Sequence, residues 1–336
     1  MPLSGKRTLF TLLTRRGVPE QRRADEVVEG VASIRDPRVD VLEGICKPER
    51  KVYAENHFVL LPDIERGSAK REWLEAARRC DLLCVVVRDF ESDAVYHPDG
   101  SVDAARDRST LESELIFADM ELADTRLQRL AREAKSGATR EQTVQKAALE
   151  KCLVLLEAEH PLSEAELDDE ERSALRGLNM LTFKPVLWAY NVSEDAASED
   201  RGPGSLTISA QIEQEIDEID DEGERRELLE SLGLERSGLD RLNAAAYERL
   251  GLMSFYTIGP DEARAWTVRT GTKAPQAGGK IHSDIERGFI RVSVIKYDDL
   301  VACGSEKAAK EKGKVAAKGR DYVMEDGDIC HFLFNV

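Results

Sequence analysis

Long hydrophobic runs are absent from this 336-residue chain. The longest aliphatic strings, such as Leu82 to Val87, fall far short of the ~20 residues of a membrane span, so no membrane partner is expected. No charged-then-apolar leader is present, which argues against a secretory signal. Cysteine is scarce, with six residues, too few for a disulfide scaffold. Cys84 sits inside an apolar strand pattern, and all six are read as reduced, mostly buried thiols of a cytosolic protein. Histidine is scarcer still, and no pair of the five has metal-ligand spacing, so a zinc site is not expected. Nor can a Ser-His-Asp or Cys-His arrangement be argued from spacing. Positive charge is the minority sign: 48 Lys and Arg against 65 Asp and Glu give a net −17. That argues against nucleic acid coating the whole surface and leaves room for a local basic face.

What is present is an ordinary globular composition, 41% hydrophobic and 34% charged, in a chain long enough for about two domains. Near-continuously apolar runs at 58–61, 82–87, 185–190 and 205–208, with helical segments such as 68–80 between them, predict a parallel sheet covered on both faces. The fold class is therefore α/β. Residues 107–178 carry almost no strand signal. Leu111, Leu115, Ala118, Leu122, Leu127 and Leu130 recur at helical spacing, continued by Ala147, Cys152 and Leu155. Capping boxes are read at Ser109…Glu112, Thr139…Gln142 and Ser163…Glu166, with a break at Gly137. The expectation is an antiparallel, coiled-coil-like hairpin inserted between two strands; the alternative is two amphipathic helices laid on the sheet. Residues 223–252 read as helical, with stops at Gly233 and Gly238. Short strands at 254–258, 265–269, 289–295 and 329–334, around a helix capped by Ser283, predict a compact β-rich module. Its stretch 306–320 is the one strongly basic run, read first as a solvated face and second as an RNA-phosphate contact. Trp266 and His282 are read as structural.

Three segments carry nucleotide chemistry. Gly5-Lys6, with Thr8 close behind, is similar to the end of a P-loop. There, backbone amides cradle phosphates, lysine meets the β/γ-phosphates and a hydroxyl meets Mg²⁺. Arg7 stands at the hydroxyl position, and Thr8 comes one residue late. Asp63 ends the 58–61 strand, the usual place of a carboxylate directed to Mg²⁺. In a D-x-x-G motif the glycine would follow at the third position; here Gly67 comes one residue late. Asn191-Val-Ser-Glu194 follows the 185–190 strand, where a base-reading N-K-x-D would lie. An aspartate there accepts both N–H donors of guanine, so Glu194 and the missing lysine argue against guanine.

Taken in order, these features resemble the YchF family of Obg-related P-loop NTPases, whose base motif is N-x-x-E. The specific stretches are Asp36-Pro-Arg-Val-Asp40, Lys47-Pro-Glu-Arg50, Phe90-Glu91 with His97, Leu181-Thr-Phe-Lys-Pro185, Arg264-Ala-Trp-Thr-Val268 and Gly288-Phe-Ile-Arg291. The resemblance implies a P-loop NTPase-like G domain (1–104 and 179–252), an inserted helical coiled-coil hairpin (105–178) and a C-terminal β-grasp TGS domain (253–336). It implies ATP preferred over GTP, Mg²⁺ as the accompanying ion, and slow or no hydrolysis. It also implies a cytoplasmic protein that associates with the ribosome or RNA in translation or stress regulation. By the same resemblance Gly5, Lys6 and Thr8 would hold phosphate, Asp63 would face Mg²⁺, Asn191 and Glu194 would meet the base, and His97 would orient the attacking water.

The departures from the family all fall in the nucleotide half. The strand before the P-loop and its first glycine have no counterpart, residues 19–31 lack the switch I threonine, and the loop after Asp63 is short. About ten residues join Glu194 to the 205–208 strand, too few for a covering helix. A start codon placed too late would restore a strand and a glycine, but not switch I, the Asp63 loop or a hydroxyl at position 7. The competing reading is a divergent paralogue, a non-catalytic pseudo-NTPase scaffold that docks through its helical and C-terminal parts. Arg7 can place positive charge on a phosphate but cannot polarise it as a metal does.

Overall fold

The computed structural model describes residues 2–19, 26–64 and 71–335. They divide into two compact units: Met1–Gly30 with Phe58–Leu242, and Val31–His57 with Asn243–Val336. Gly67, and residues 20–25 of the segment read for switch I, lie outside the described residues.

The chain opens with α1 (Lys6–Thr14) and β1 (Val28–Ile34), then α2 (Pro37–Cys46), β2 (Arg50–Val52) and β3 (Ala54–Leu60). Next come α3 (Leu74–Arg79), β4 (Leu83–Asp89), the long α4 (Ala104–Glu133), α5 (Arg140–Glu157) and α6 (Asp169–Leu175). β5 (Val186–Val192), β6 (Ser205–Ile208), α7 (Ala210–Glu218), α8 (Glu222–Ser231) and α9 (Gly238–Arg249) follow. The C-terminal run is β7 (Leu252–Ile258), β8 (Glu262–Arg269), α10 (Ala274–Ile281), α11 (Ser283–Arg287), β9 (Phe289–Lys296), α12 (Tyr297–Cys303), α13 (Glu306–Glu311), β10 (Ala316–Lys318) and β11 (Asp328–Phe334).

In the first unit β4, β5 and β6 form a parallel sheet, with Arg88 of β4 level with Asn191 of β5. Every β5 residue from Leu187 to Val192 is buried, as a continuously apolar central strand should be. The link from β5 to β6 holds a single 3-10 turn at Glu194–Ala196, so the short connection indeed lacks a covering helix. β1 pairs with β3 in a separate two-stranded sheet. β1 alternates buried and exposed, a period-two pattern that a search for continuous apolar runs passes over, and the 58–61 run, expected in the parallel sheet, belongs instead to β3, which pairs with β1.

The helical insertion lays the first part of α4 on the sheet, while α5 packs on the rest of α4 and not on the sheet. Leu111, Leu115 and Ala118 pack against sheet residues such as Val87, Trp188 and Leu83. Ile116, Ala123 and Leu130, seven residues apart, form a second seam against Ala148, Leu149, Cys152 and Leu156 of α5. Arg126 donating to Gln145 at 2.7 Å across the turn fixes the antiparallel sense. The Thr139–Gln142 capping box is present, whereas Ser109 and Ser163 cap nothing as helix starts. Asp103 caps α4 instead, through Arg106 N, and the box before α6 is Asp168–Glu171. Buried Asp119 accepts hydrogen bonds from Leu181 N (2.8 Å), Thr182 N (2.7 Å) and Thr182 Oγ1 (2.7 Å). It thereby ties α4 to the 3-10 turn through which the chain returns to β5.

The second unit is a six-stranded sheet in the order β10-β9-β11-β7-β8-β2. Its four longer strands match the runs expected from sequence. Residues 31–57, read from sequence with the nucleotide half, cluster here instead. The reason is packing and pairing: β2 adds to the edge of β8 in parallel, and Val39 and Leu42 of α2 sit in one core with Tyr256, Ile295 and Leu300. The other face of the sheet buries Phe255, Phe332, Val292 and Met324. Trp266 is structural: it stacks on Phe255 with ring centroids 6.5 Å apart and donates to Thr257 Oγ1 at 2.9 Å. His282 is also structural and is itself the cap of α11, one residue before the expected Ser283, its Nδ1 accepting from Asp284 N at 3.2 Å. Of the basic run, Lys314 pairs with Asp299 and Arg320 donates to Phe289 O.

A Cβ added at Gly288 would lie 2.2 Å from the carbonyl oxygen of Asn335, whose N–H donates to Gly288 O at 2.9 Å. Two backbones touch there, so no rotamer change can relieve the clash. Gly288→Ala is expected to cost about 2 kcal/mol of stability, read as a lower denaturant midpoint by circular dichroism.

Charge is divided unevenly between the units. The first holds 29 basic and 47 acidic residues, the second 19 and 18, so the acidity of the chain belongs to the first. All six cysteines are free, but only Cys152 and Cys330 are buried and the other four are half-buried, fewer buried than expected. Burial pushes the Cys84 thiol up to about 12 and the Cys152 thiol up to about 11, which keeps both protonated and unreactive. No helix among the described residues is long and apolar enough to cross a membrane.

Candidate functional site

The first unit holds a cavity of about 570 Å³, within the range that takes a nucleotide-sized ligand. Two helix N-termini border it, those of α1 and α7. The two helices pack on each other and are joined by an Arg15–Asp217 ion pair. Both therefore direct positive ends of their dipoles at the same space, which favours an anion.

The corner that starts α1 depends on glycine. Gly5 is the N-cap at φ 88°, and no side chain caps the first turn. A Cβ there would lie 2.2 Å from Asn191 Nδ2. Asn191 is spent on structure: its Nδ2 donates to Ser4 O at 3.0 Å, and its Oδ1 accepts from Ala210 N at 3.0 Å. One buried amide thus joins the α1 corner to the start of α7. Glu194 is exposed one turn beyond β5 and is not part of the cavity wall. The wall from β5 and α7 instead includes Asn191, Ser193, Gln211 and Gln214. The two glutamines were not singled out from sequence; their spacing of three at a helix start beside the base motif was the available signal.

Lys6 is held down by three oxygens. Its Nζ donates to Leu61 O at 2.9 Å and Pro62 O at 3.0 Å, and lies 2.8 Å from Asp63 Oδ1. Burial alone would raise the Asp63 carboxyl; the Lys6 ammonium outweighs it and holds the group below the ordinary range. That pair therefore supports the fold above the ordinary carboxylate pKa, and its contribution fades as pH falls through the lowered value. Thr8 lines the cavity, as does Arg7, which is exposed.

The structure places Gly5, Lys6, Thr8, Asp63 and Asn191 around one cavity, and His97 stands apart from it. His97 is buried and its Nδ1 accepts from Asp99 N at 3.1 Å. Its Nε2 therefore carries the proton and donates to Asp107 Oδ2 at 2.9 Å. Arg106 closes on the other Asp107 oxygen from Nε at 3.0 Å and from Nη2 at 2.8 Å. With both ring nitrogens occupied and the ring outside the cavity wall, His97 does not orient a water in this conformation. The wall beside it comes from Phe90, Glu91, Ser92 and Val95. That loop hangs on the buried Arg88, whose Nε donates to Phe90 O at 3.1 Å and Nη2 to Val95 O at 2.9 Å.

A parallel sheet, a glycine-cornered loop running into a helix N-terminus with lysine as its first residue, and an anion-favouring cavity above them define a P-loop nucleotide-binding fold, here with a helical insert and a C-terminal domain. Comparison with known proteins agrees. The family model YchF-GTPase_C, described as "Protein of unknown function (DUF933)", matches residues 252–335. "Ribosome-binding ATPase YchF" of Escherichia coli O157:H7 is 38% identical over 358 residues, covering 100% of this chain and 98% of that protein. The Bacillus subtilis (strain 168) protein of the same description is 36% identical, with the same coverage. The solved structure of the Schizosaccharomyces pombe YchF GTPase superposes with a TM-score of 0.85 at 29% identity, covering 99% of this chain and 96% of that one. The chain belongs to the YchF family.

The Mg²⁺ ion that the resemblance implies can be tested against the donor set. A phosphate-bridging Mg²⁺ is ordinarily held by a carboxylate or two, a hydroxyl and waters. Here Arg7 stands where the hydroxyl belongs, and Asp63 is taken by Lys6. No group of three or more His, Cys, Asp or Glu residues among those described could hold a metal. The residues present do not fit a protein-held Mg²⁺.

Proposed function

We propose that this chain binds a nucleoside triphosphate in the α1–α7 cavity, ATP in preference to GTP, and acts with the ribosome as a cytoplasmic regulator of translation or stress response. The observation that supports this most is the Gly5–Lys6 corner, a cradle that only glycine can form, set at a helix start beside a nucleotide-sized cavity. The phosphates would lie on the backbone N–H groups of the first α1 turn and on Lys6, once Lys6 exchanges Asp63 and two carbonyls for them. The wall from β5 and α7 offers amides and a hydroxyl and no carboxylate, so the paired donors of guanine would lack their usual acceptor. Relatives described as ribosome-binding ATPases support the ribosomal partner, and the charge balance of the second unit lets that unit approach RNA without the repulsion the first would meet. Turnover would be slow, since His97 must first leave Asp107. The three-part division into G domain, helical hairpin and TGS domain belongs to this reading.

Calorimetric titration of the purified chain with ATP, GTP and non-hydrolysable analogues tests it. Micromolar ATP binding, weakened about thirtyfold by Lys6→Ala through loss of a charge-assisted donor, is the expected result. A second reading, the non-catalytic scaffold, is favoured by the closed Lys6–Asp63 pair and by the captured His97. No heat up to millimolar nucleotide would establish it in place of the first.

A further inference from the structure

We infer that this chain takes its nucleotide without a divalent cation, the Arg7 guanidinium standing in for the metal's charge on the phosphates. The inference rests on the nucleotide reading above and concerns the same cavity.

Arg7 is the second residue of α1 and lines the cavity. Lys6 and Arg7 are the cationic side chains among the described lining residues, and they are in opposite states. Lys6 is bound to Leu61 O, Pro62 O and Asp63. Arg7 is exposed and forms no hydrogen bond or ion pair among the described residues. Its charge is nevertheless felt at Asp63, where it helps hold the carboxylate ionised.

The arrangement opposes a metal three times over. The hydroxyl that would ligate it is replaced by a guanidinium. The carboxylate that would hold its water shell is paired with lysine. A cation placed on the same phosphates would face the like charge of Arg7 at close range. The same arrangement suits a metal-free polyphosphate. A guanidinium presents parallel N–H donors that match two phosphate oxygens, and it stays charged at any physiological pH. The uncapped first turn of α1 adds backbone donors on the same side. Binding and chemistry are thereby separated: Arg7 can hold the phosphates, but it supplies none of the polarisation with which a metal speeds their hydrolysis.

The test is titration of the full chain with a fluorescent ATP analogue, once in EDTA and once in millimolar Mg²⁺. For the unaltered chain the two dissociation constants should agree within about threefold. Arg7→Ser should weaken binding about tenfold or more in EDTA, the loss of one charge-assisted contact, and should restore a Mg²⁺ dependence. Arg7→Lys, which keeps the charge and loses the fork, should stay within about fivefold of the unaltered chain in EDTA. A wild-type chain that loses about tenfold on Mg²⁺ removal, or an Arg7→Ser variant unchanged in EDTA, overturns the inference while leaving nucleotide binding intact. Absence of binding in both buffers overturns the nucleotide reading and this inference with it.

Discussion

Gly5→Ala should abolish measurable nucleotide binding and destabilise the first unit together. Alanine at φ 88° costs about 1–2 kcal/mol in backbone conformation alone. Its Cβ would lie 2.2 Å from Asn191 Nδ2, so the amide must swing away. That breaks the bonds to Ser4 O and Ala210 N, each of 3.0 Å, at about 1 kcal/mol apiece. The sum is about 3–4 kcal/mol, and the corner that presents the first α1 turn no longer exists. Titration should show ATP affinity down by more than about a hundredfold, alongside a lowered melting temperature. Asn191→Ala tests the assignment from the other side. It should weaken binding without removing the αL corner, by about tenfold, because it deletes the strut and leaves the glycine. Unchanged affinity in Gly5→Ala would mean that phosphate is not held at this corner.

Asp119→Ala should be strongly destabilising. The carboxylate is fully buried and accepts three hydrogen bonds, two of them from backbone N–H groups at Leu181 and Thr182. Alanine leaves those donors buried without an acceptor, a penalty of about 1–3 kcal/mol each. The expected loss is about 3–5 kcal/mol. Asp119→Asn should recover a minor part, since an amide has one oxygen where the carboxylate uses two. Denaturant unfolding measures both. Hydrogen exchange should show faster exchange at residues 181–183 before the β5 core is affected.

The physical difference between what sequence disclosed and what it withheld can be seen in particular residues. The strands β4 to β6 were legible because central parallel strands must be apolar on both faces, and a run such as Val-Leu-Trp-Ala-Tyr has few other uses. β1 was missed because Glu29, Gly30 and Ser33 interrupt its apolar run. Helix starts were misplaced wherever a Ser-x-x-Glu pair imitated a cap. Ser109 lies inside α4, whose start belongs to Asp103, and nothing local distinguishes the two. The placement of 31–57 was invisible for a different reason. It is decided by a three-residue parallel pairing to β8 more than two hundred residues away. At the site, residue types and order were enough to bring Gly5, Lys6, Asp63 and Asn191 together. Sequence could not show how their bonds are spent. That Lys6 already holds Asp63, that Asn191 works as a strut, and that His97 is captured by Asp107 are facts of distance, and they change what each residue can do.

The loop that walls the cavity is fastened at both ends. Arg88 grips its Phe90 and Val95 carbonyls, and His97 fastens its far end to Asp107 in the first turn of α4. α4 has 30 residues and so extends about 45 Å at 1.5 Å per residue. The cavity wall is in effect the short arm of a lever whose long arm is that helix. A tilt of about 5° at the base, of the size that a ligand pressing on Phe90 to Val95 could impose, would carry the far tip through about 4 Å. Filling the cavity could in this way be read out mechanically at the exposed end of the hairpin, with no bond to phosphorus ever broken.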